Sequence, residues 1–135
     1  MKTEIEYDID FSTKKSTDDF TKEELEKIIV KTTEIINTET AKEILSRAYY
    51  DRGIANDILY NNEEAISDLT EAICLKCNHL WSAYYSRGII YYETNQISLA
   101  LSDFQNALQN NPTFEYVKYV QEKIEAINNM ETEST

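Results

Sequence analysis

Reactive residue types are few in this chain, and their spacing limits the chemistry open to them. Cys74-Leu75-Lys76-Cys77 has the spacing of a redox pair or of half a zinc site, with His79 close by. A structural zinc takes four ligands, and the sequence supplies no second pair of Cys or His. A thioredoxin-like pair requires a strand–helix setting that the flanking residues do not suggest. There is no Gly-rich phosphate loop, no HExxH pair and no supported Ser–His–acid set. The 25 Asp and Glu residues spread along what read as helix exteriors, so a solvated face accounts for them better than acid–base catalysis. The expectation is ordinary packing for the cysteines, a first-turn surface position for His79, and no catalytic residue, metal or cofactor. The chain reads as a non-enzyme.

One charged constellation does recur. Arg52 and Asp68 stand 16 residues apart, and so do Arg87 and Asp103. If each pair lies on opposite helices of a hairpin, guanidinium and carboxylate come within hydrogen-bonding range, and a salt bridge is predicted inside each hairpin. Such a partly buried pair adds little net stability and more specificity of register. Neither pair has the third partner that catalysis would need.

That recurrence belongs to a longer one. The only two glycines, Gly53 and Gly88, lie 35 residues apart in Ala48-Tyr49-Tyr50-Asp51-Arg52-Gly53-Ile54 and Ala83-Tyr84-Tyr85-Ser86-Arg87-Gly88-Ile89. Aligning 48–77 on 83–112 gives ten identities in thirty residues. Self-similarity at a fixed period of this length indicates a repeat architecture, in which each unit buries its apolar face against its neighbours.

Six helices are predicted to carry it. Thr21-Lys22-Glu23-Glu24 is a capping box opening a helix over about 22–36, with Leu25, Ile28, Ile29, Ile35 and Ile36 along one stripe. Thr40-Ala41-Lys42-Glu43 reads as a second box, opening a helix to about Leu59. Asn61 or Asn62 is expected to cap a helix over 63–75, Asn78 one over 79–93, and Asn95 one to about 109. Asn111-Pro112 places proline at the first position of a last helix, over about 113–128, with Val117, Val120, Ile124 and Ile127 facing inward. Connections of two to five residues force consecutive helices into antiparallel hairpins. Residues 1–19 alternate Ile5, Tyr7, Ile9 and Phe11 with acids, which suits either a solvated acidic tail or an extended arm docked in a groove. Residues 130–135 read as a frayed polar end.

The whole chain, 135 residues, is at most one domain. Its net charge of −12 argues against nucleic acid and against an anionic membrane surface, and suits a basic partner. No apolar run is long enough to span a bilayer, and the start shows no signal peptide. Two cysteines without a secretion signal read as reduced thiols in a cytoplasmic setting.

The spacing of Tyr49, Gly53, Ala65, Leu69 and Ala72, repeated as Tyr84, Gly88, Tyr91, Ala100, Phe104, Ala107 and Pro112, resembles the tetratricopeptide repeat. The first copy departs from it at Asn56, where the second has Tyr91, and at Cys77, where the second has Pro112. The resemblance implies an all-α fold of antiparallel helical hairpins stacked as a short right-handed α-solenoid. Its domain would cover 20–129, with repeats at about 46–79 and 81–114 and capping helices at 22–36 and 113–128. Tyr49, Tyr84 and Tyr91 are expected to be buried.

The resemblance also implies a concave groove, lined by the first helix of each repeat, that receives a peptide or helix. Its positions are Arg47, Tyr50, Ile54, Asp57 and Ile58 in the first repeat and Ser82, Tyr85, Ile89, Tyr92 and Glu93 in the second. Tyr116, Lys118 and Tyr119 would complete the wall. Helical periodicity independently puts 50, 54, 57 and 58 on one face, and 85, 89, 92 and 93 on another. Tyr and Ile fill most of these places and Arg47 is the one base among the ten first-helix positions, which disfavours a clamp for C-terminal carboxylates and favours an apolar or basic protein segment. The expected function is a non-enzymatic protein–protein interaction module. The alternative is a self-assembling or accessory subunit whose groove is filled by another copy, as in a homodimer, or by its own N-terminal arm.

Overall fold

The computed structural model of the chain describes residues 19–110 and 114–133. These form six α-helices, and among the described residues there is no strand. They are α1 (Lys22–Thr38), α2 (Lys42–Ile58), α3 (Asn62–Cys74), α4 (Leu80–Glu93), α5 (Ile97–Gln109) and α6 (Phe114–Glu133). The fold is all-α, and α2 packs with α3 and α4 with α5 as the repeated hairpins. The N-terminal arm lies outside the described residues except for Asp19, as do the Asn111-Pro112 start and residues 134–135.

The Thr21 box forms: its hydroxyl accepts from the Glu24 N–H at 3.1 Å, and the Glu24 carboxylate accepts from the Thr21 N–H at 3.1 Å. The second box does not. The N-cap of α2 is Ala41, so Thr40 and Glu43 sit one position too early to reach the open amides. Asn61 does hold the N-cap of α3, but its side chain makes no capping bond there. Starts expected at Asn78 and Asn95 move to His79 and Gln96, neither of which caps through its side chain. Helix α6 runs past Asn128 to Glu133, taking in residues expected to belong to a frayed tail.

The helix ends explain these shifts. After α2, α3 and α4 the chain passes through one left-handed residue, namely Tyr60 (φ 63°), Lys76 (φ 55°) and Asn95 (φ 63°). Each end closes with a Schellman pair of hydrogen bonds, such as Cys77 N–H to Ala72 O and Lys76 N–H to Ile73 O, both 3.0 Å. Asn61 belongs to the end of α2 in this sense. Its N–H reaches Asn56 O at 2.8 Å, and its side-chain amide donates to Asn56 Oδ1 at 3.1 Å. Its side chain is therefore engaged by the helix behind it, and Asn95 is likewise taken up as the left-handed residue that ends α4.

The residues fall into two compact units divided between Asn78 and His79. In the first, Leu25 and Ile28 of α1 and Ala55 of α2 form a buried cluster flanked by Phe20, Ile29, Ile58 and Leu59. In the second, Ala100, Phe104 and Ala107 of α5 join Val120 and Ile127 of α6 beneath Tyr84, Tyr85, Ile89, Tyr91 and Tyr92 of α4. Each hairpin crosses at its glycine. A Cβ on Gly53 would lie 3.0 Å from Leu69 Cγ, and one on Gly88 would lie 2.8 Å from Phe104 Cε1. The close approach explains why glycine is kept in mid-helix despite its propensity cost of about 1 kcal/mol. No helix among the described residues is long and apolar enough to cross a membrane.

Candidate functional site

Both Arg–Asp pairs close across their hairpins with the same geometry. Arg52 donates from Nε to Asp68 Oδ2 at 2.8 Å and from Nη2 to Oδ1 at 2.7 Å. Arg87 does the same to Asp103, at 2.8 and 2.7 Å. Donation to the carboxylate raises each arginine's pKa above its ordinary value, outweighing the opposing effect of burial. The bidentate forks pin the register of each hairpin.

These forks correct one expectation. Tyr49, Tyr84 and Tyr91 are half-buried rather than buried, because their rings flank a guanidinium at the hairpin surface. The Arg52 carbon sits 5.7 Å from the Tyr49 ring, and the Arg87 carbon 5.7 and 5.8 Å from the Tyr84 and Tyr91 rings.

In the first unit the expected surface positions lie along α2. Arg47 is exposed, while Tyr50, Ile54, Asp57 and Ile58 are half-buried. Ile58 turns to the Leu25–Ile28 cluster and is engaged by α1, so it contributes packing more than open surface. Sequence reasoning passed over Asp51, one turn beyond Arg47. It is 5% exposed, its Oδ2 has no hydrogen-bond partner among the described residues, and burial pushes its pKa up to about 7. Arg47 Nε stands 3.4 Å from that oxygen. The guanidinium is itself half in solvent, so its field is screened and does not offset the desolvation. The signal that could have found Asp51 is its counterpart Ser86, an uncharged residue at the equivalent place.

In the second unit two of the expected positions of α4, Tyr85 and Tyr92, lie beside residues of α6. The Tyr85 ring tilts onto Phe104 at 5.8 Å between centroids. Burial raises its phenol above the ordinary value, with Tyr119 and Glu122 adding to the effect. Further along, Lys123 lies 5.5 Å from the Tyr92 ring, and the Tyr92 hydroxyl donates to Met130 Sδ at 3.9 Å. Tyr85 therefore meets the start of α6 and Tyr92 its later turns, so the two helices run in the same sense. Tyr119, Lys123 and Met130 share one stripe of α6 at helical spacing. Tyr119 is 55% exposed and Met130 43%. Lys118 and Glu93 are exposed, and Ser82 and Ile89 half-buried; the side chain of Tyr116 lies outside the described residues. Sequence reasoning missed Lys123 and Met130, since α6 carries no copy of the repeat motif from which positions could be transferred.

Cys74 is exposed and Cys77 buried, and neither forms a disulfide. No group of three or more His, Cys, Asp or Glu side chains gathers among the described residues in a way that could hold a metal.

Residues 81–114 match the tetratricopeptide repeat family. A stretch of 63 residues, 47% of this chain, is 38% identical to neutrophil cytosol factor 2 from Homo sapiens. That match spans 12% of the relative's length. No solved structure matches the chain.

Proposed function

We propose that this chain, which carries tetratricopeptide repeats, is a non-enzymatic protein-binding module whose partner segment rests on the α4–α6 face of the second unit. The observation that supports the reading most is the set of aromatic rings on that face. Tyr85 and Tyr92 are half-buried and Tyr119 more than half exposed, with Lys123 and Met130 beside them. Tyrosine offers a large contact area with little conformational entropy to lose, together with a hydroxyl for a hydrogen bond. The family resemblance gives the same helix face its role in binding. On α2, Arg47, Tyr50, Ile54 and Asp57 form a second contact surface in the proposal. The acidic charge of the chain favours a partner with basic residues beside its apolar ones. A cytosol-like setting is part of the reading, in keeping with two unbridged thiols and with the name of the relative.

The test is affinity capture from the source cell with the full chain and with a Tyr85→Ala/Tyr92→Ala/Tyr119→Ala variant. The variant's helicity is checked by circular dichroism. Each anchoring ring is expected to be worth about 1–2 kcal/mol, so partner recovery should fall at least tenfold. Undiminished recovery by a folded variant would remove this face from the account. Sedimentation at several concentrations distinguishes a module that binds others from one that fills its face with a second copy.

A further inference from the structure

A cleft of about 520 Å³ opens in the first unit, and none of its lining residues is among the positions just described. It is lined by Ile29 and Thr33 of α1, Arg52 and Asn56 of α2, and Glu63, Glu64, Ser67 and Asp68 of α3. Its volume lies in the range of small-ligand and side-chain pockets.

The other repeat shows what belongs there. In the second unit the Arg87 guanidinium has two tyrosine rings against it, Tyr84 at 5.7 Å and Tyr91 at 5.8 Å. In the first unit Arg52 keeps, among the described residues, only the counterpart of Tyr84, which is Tyr49, and Asn56 replaces Tyr91. Asn56 is 6% exposed and held by hydrogen bonds to Asp68 and Asn61, so it is fixed rather than free to swing into the space. The side of Arg52 that a ring would cover thus opens on the cleft.

Charge selects what comes with the ring. Arg52 is already neutralised by Asp68 and also donates to Thr33 Oγ1 at 3.1 Å. Glu63 and Glu64 are exposed at the mouth, and neither meets a cation among the described residues. Their counterparts in the second repeat are Ser98 and Leu99, so the acidic mouth and the missing ring occur together in one repeat and in neither form in the other.

We infer that the α1–α2–α3 cleft is a second binding site, which takes an aromatic side chain of a partner peptide with an adjacent Lys or Arg. The ring stacks on the open side of Arg52, as Tyr91 does on Arg87, and the base pairs with Glu63 and Glu64. The site goes beyond the proposed function and shares no residue with the α4–α6 face.

The experiment is an NMR titration of the isotope-labelled full chain with N-acetyl-tyrosyl-arginine amide. N-acetyl-alanyl-arginine amide and N-acetyl-tyrosyl-glutamate amide serve as controls. Resonances of Thr33, Asn56 and Ser67 should move with the tyrosyl-arginine probe, and the alanyl probe should bind about tenfold more weakly. Asn56→Tyr supplies the ring internally and should abolish the response. Glu63→Gln/Glu64→Gln changes only exposed groups, and should reduce the preference for arginine over glutamate in the tyrosyl probes by about three- to tenfold. Equal binding of the alanyl and tyrosyl probes overturns the inference, as does an unchanged preference in the double-glutamine variant. Shifts at Tyr85 and Tyr119 in place of the cleft would also overturn it, while leaving the α4–α6 face as the binding surface.

Discussion

Asp51 is the residue most at odds with its surroundings. Its carboxyl is removed from water with no hydrogen bond to Oδ2 among the described residues, and its pKa is about 7 against an ordinary 3.8. The folded chain therefore holds a proton that the unfolded chain releases. The contribution of Asp51 to stability falls as pH rises from about 4 to about 7 and levels off above that. Asp51→Ser, the residue at the matching position in the other repeat, should stabilise the fold at pH 8 by up to roughly 4 kcal/mol. The same change should have little effect near pH 4, and urea midpoints at the two pH values check the sign. Tyr60 is a smaller case of the same kind. It takes a left-handed backbone angle with its side chain 82% exposed, where the second repeat has Asn95 at the same angle. Tyr60→Asn should raise stability by about 0.5–1 kcal/mol, since asparagine enters this region more readily than a bulky aromatic does. A thermal melt at neutral pH reads the difference, and a lower midpoint would mean the ring has packing that its exposure does not suggest.

Among elements, the two hairpins provide a matched comparison. The added methyl of Gly88→Ala would stand under 3 Å from a rigid phenylalanine ring, whereas that of Gly53→Ala would stand 3.0 Å from Leu69 Cγ, a contact that a shift of a few tenths of an ångström relieves. Helix propensity favours alanine by about 1 kcal/mol in both, and overpacking opposes it by about 1–3 kcal/mol. Gly88→Ala should therefore destabilise by about 1–2 kcal/mol and Gly53→Ala by much less; denaturant unfolding of the two variants tests the order. The hairpins themselves were legible because Gly53, Gly88, Ala65 and Ala100 mark close crossings that few other residues allow. The pairing of Arg52 with Asp68 followed from a spacing that puts both on facing turns. Helix starts were less legible. Rules for N-caps look forward from a polar residue, but Asn61 and Asn95 are taken up by the ends of the helices behind them. Tyr60 and Lys76 occupy left-handed positions where glycine or asparagine is the usual sign of a stop, so the sequence carried no such sign. The partial exposure of Tyr49, Tyr84 and Tyr91 was hidden for a different reason. A ring against a guanidinium looks like a core ring until the charge beside it is placed. The contacts of α6 with Tyr85 and Tyr92 had no internal copy to be read from.

For the molecule as a whole, a net charge of −12 on 135 residues is a standing repulsion. The two Arg–Asp forks are partly shielded from solvent and lose little to screening, whereas repulsion among exposed carboxylates is strongly screened. Raising the salt from about 20 mM to about 300 mM should therefore increase the melting temperature, by about 2–4 °C. A fall would mean that attractive ion pairs outweigh the excess charge. The single tryptophan, Trp81, lies in the first turn of α4, so its emission reports on the start of that helix while circular dichroism follows all six. The closing turn of α3 has one more consequence. It leaves the Cys74 sulfur outside and the Cys77 sulfur inside, three residues apart. A maleimide dye added to the native chain will attach at one defined position, and slow uptake of a second dye will time how often that helix end comes undone.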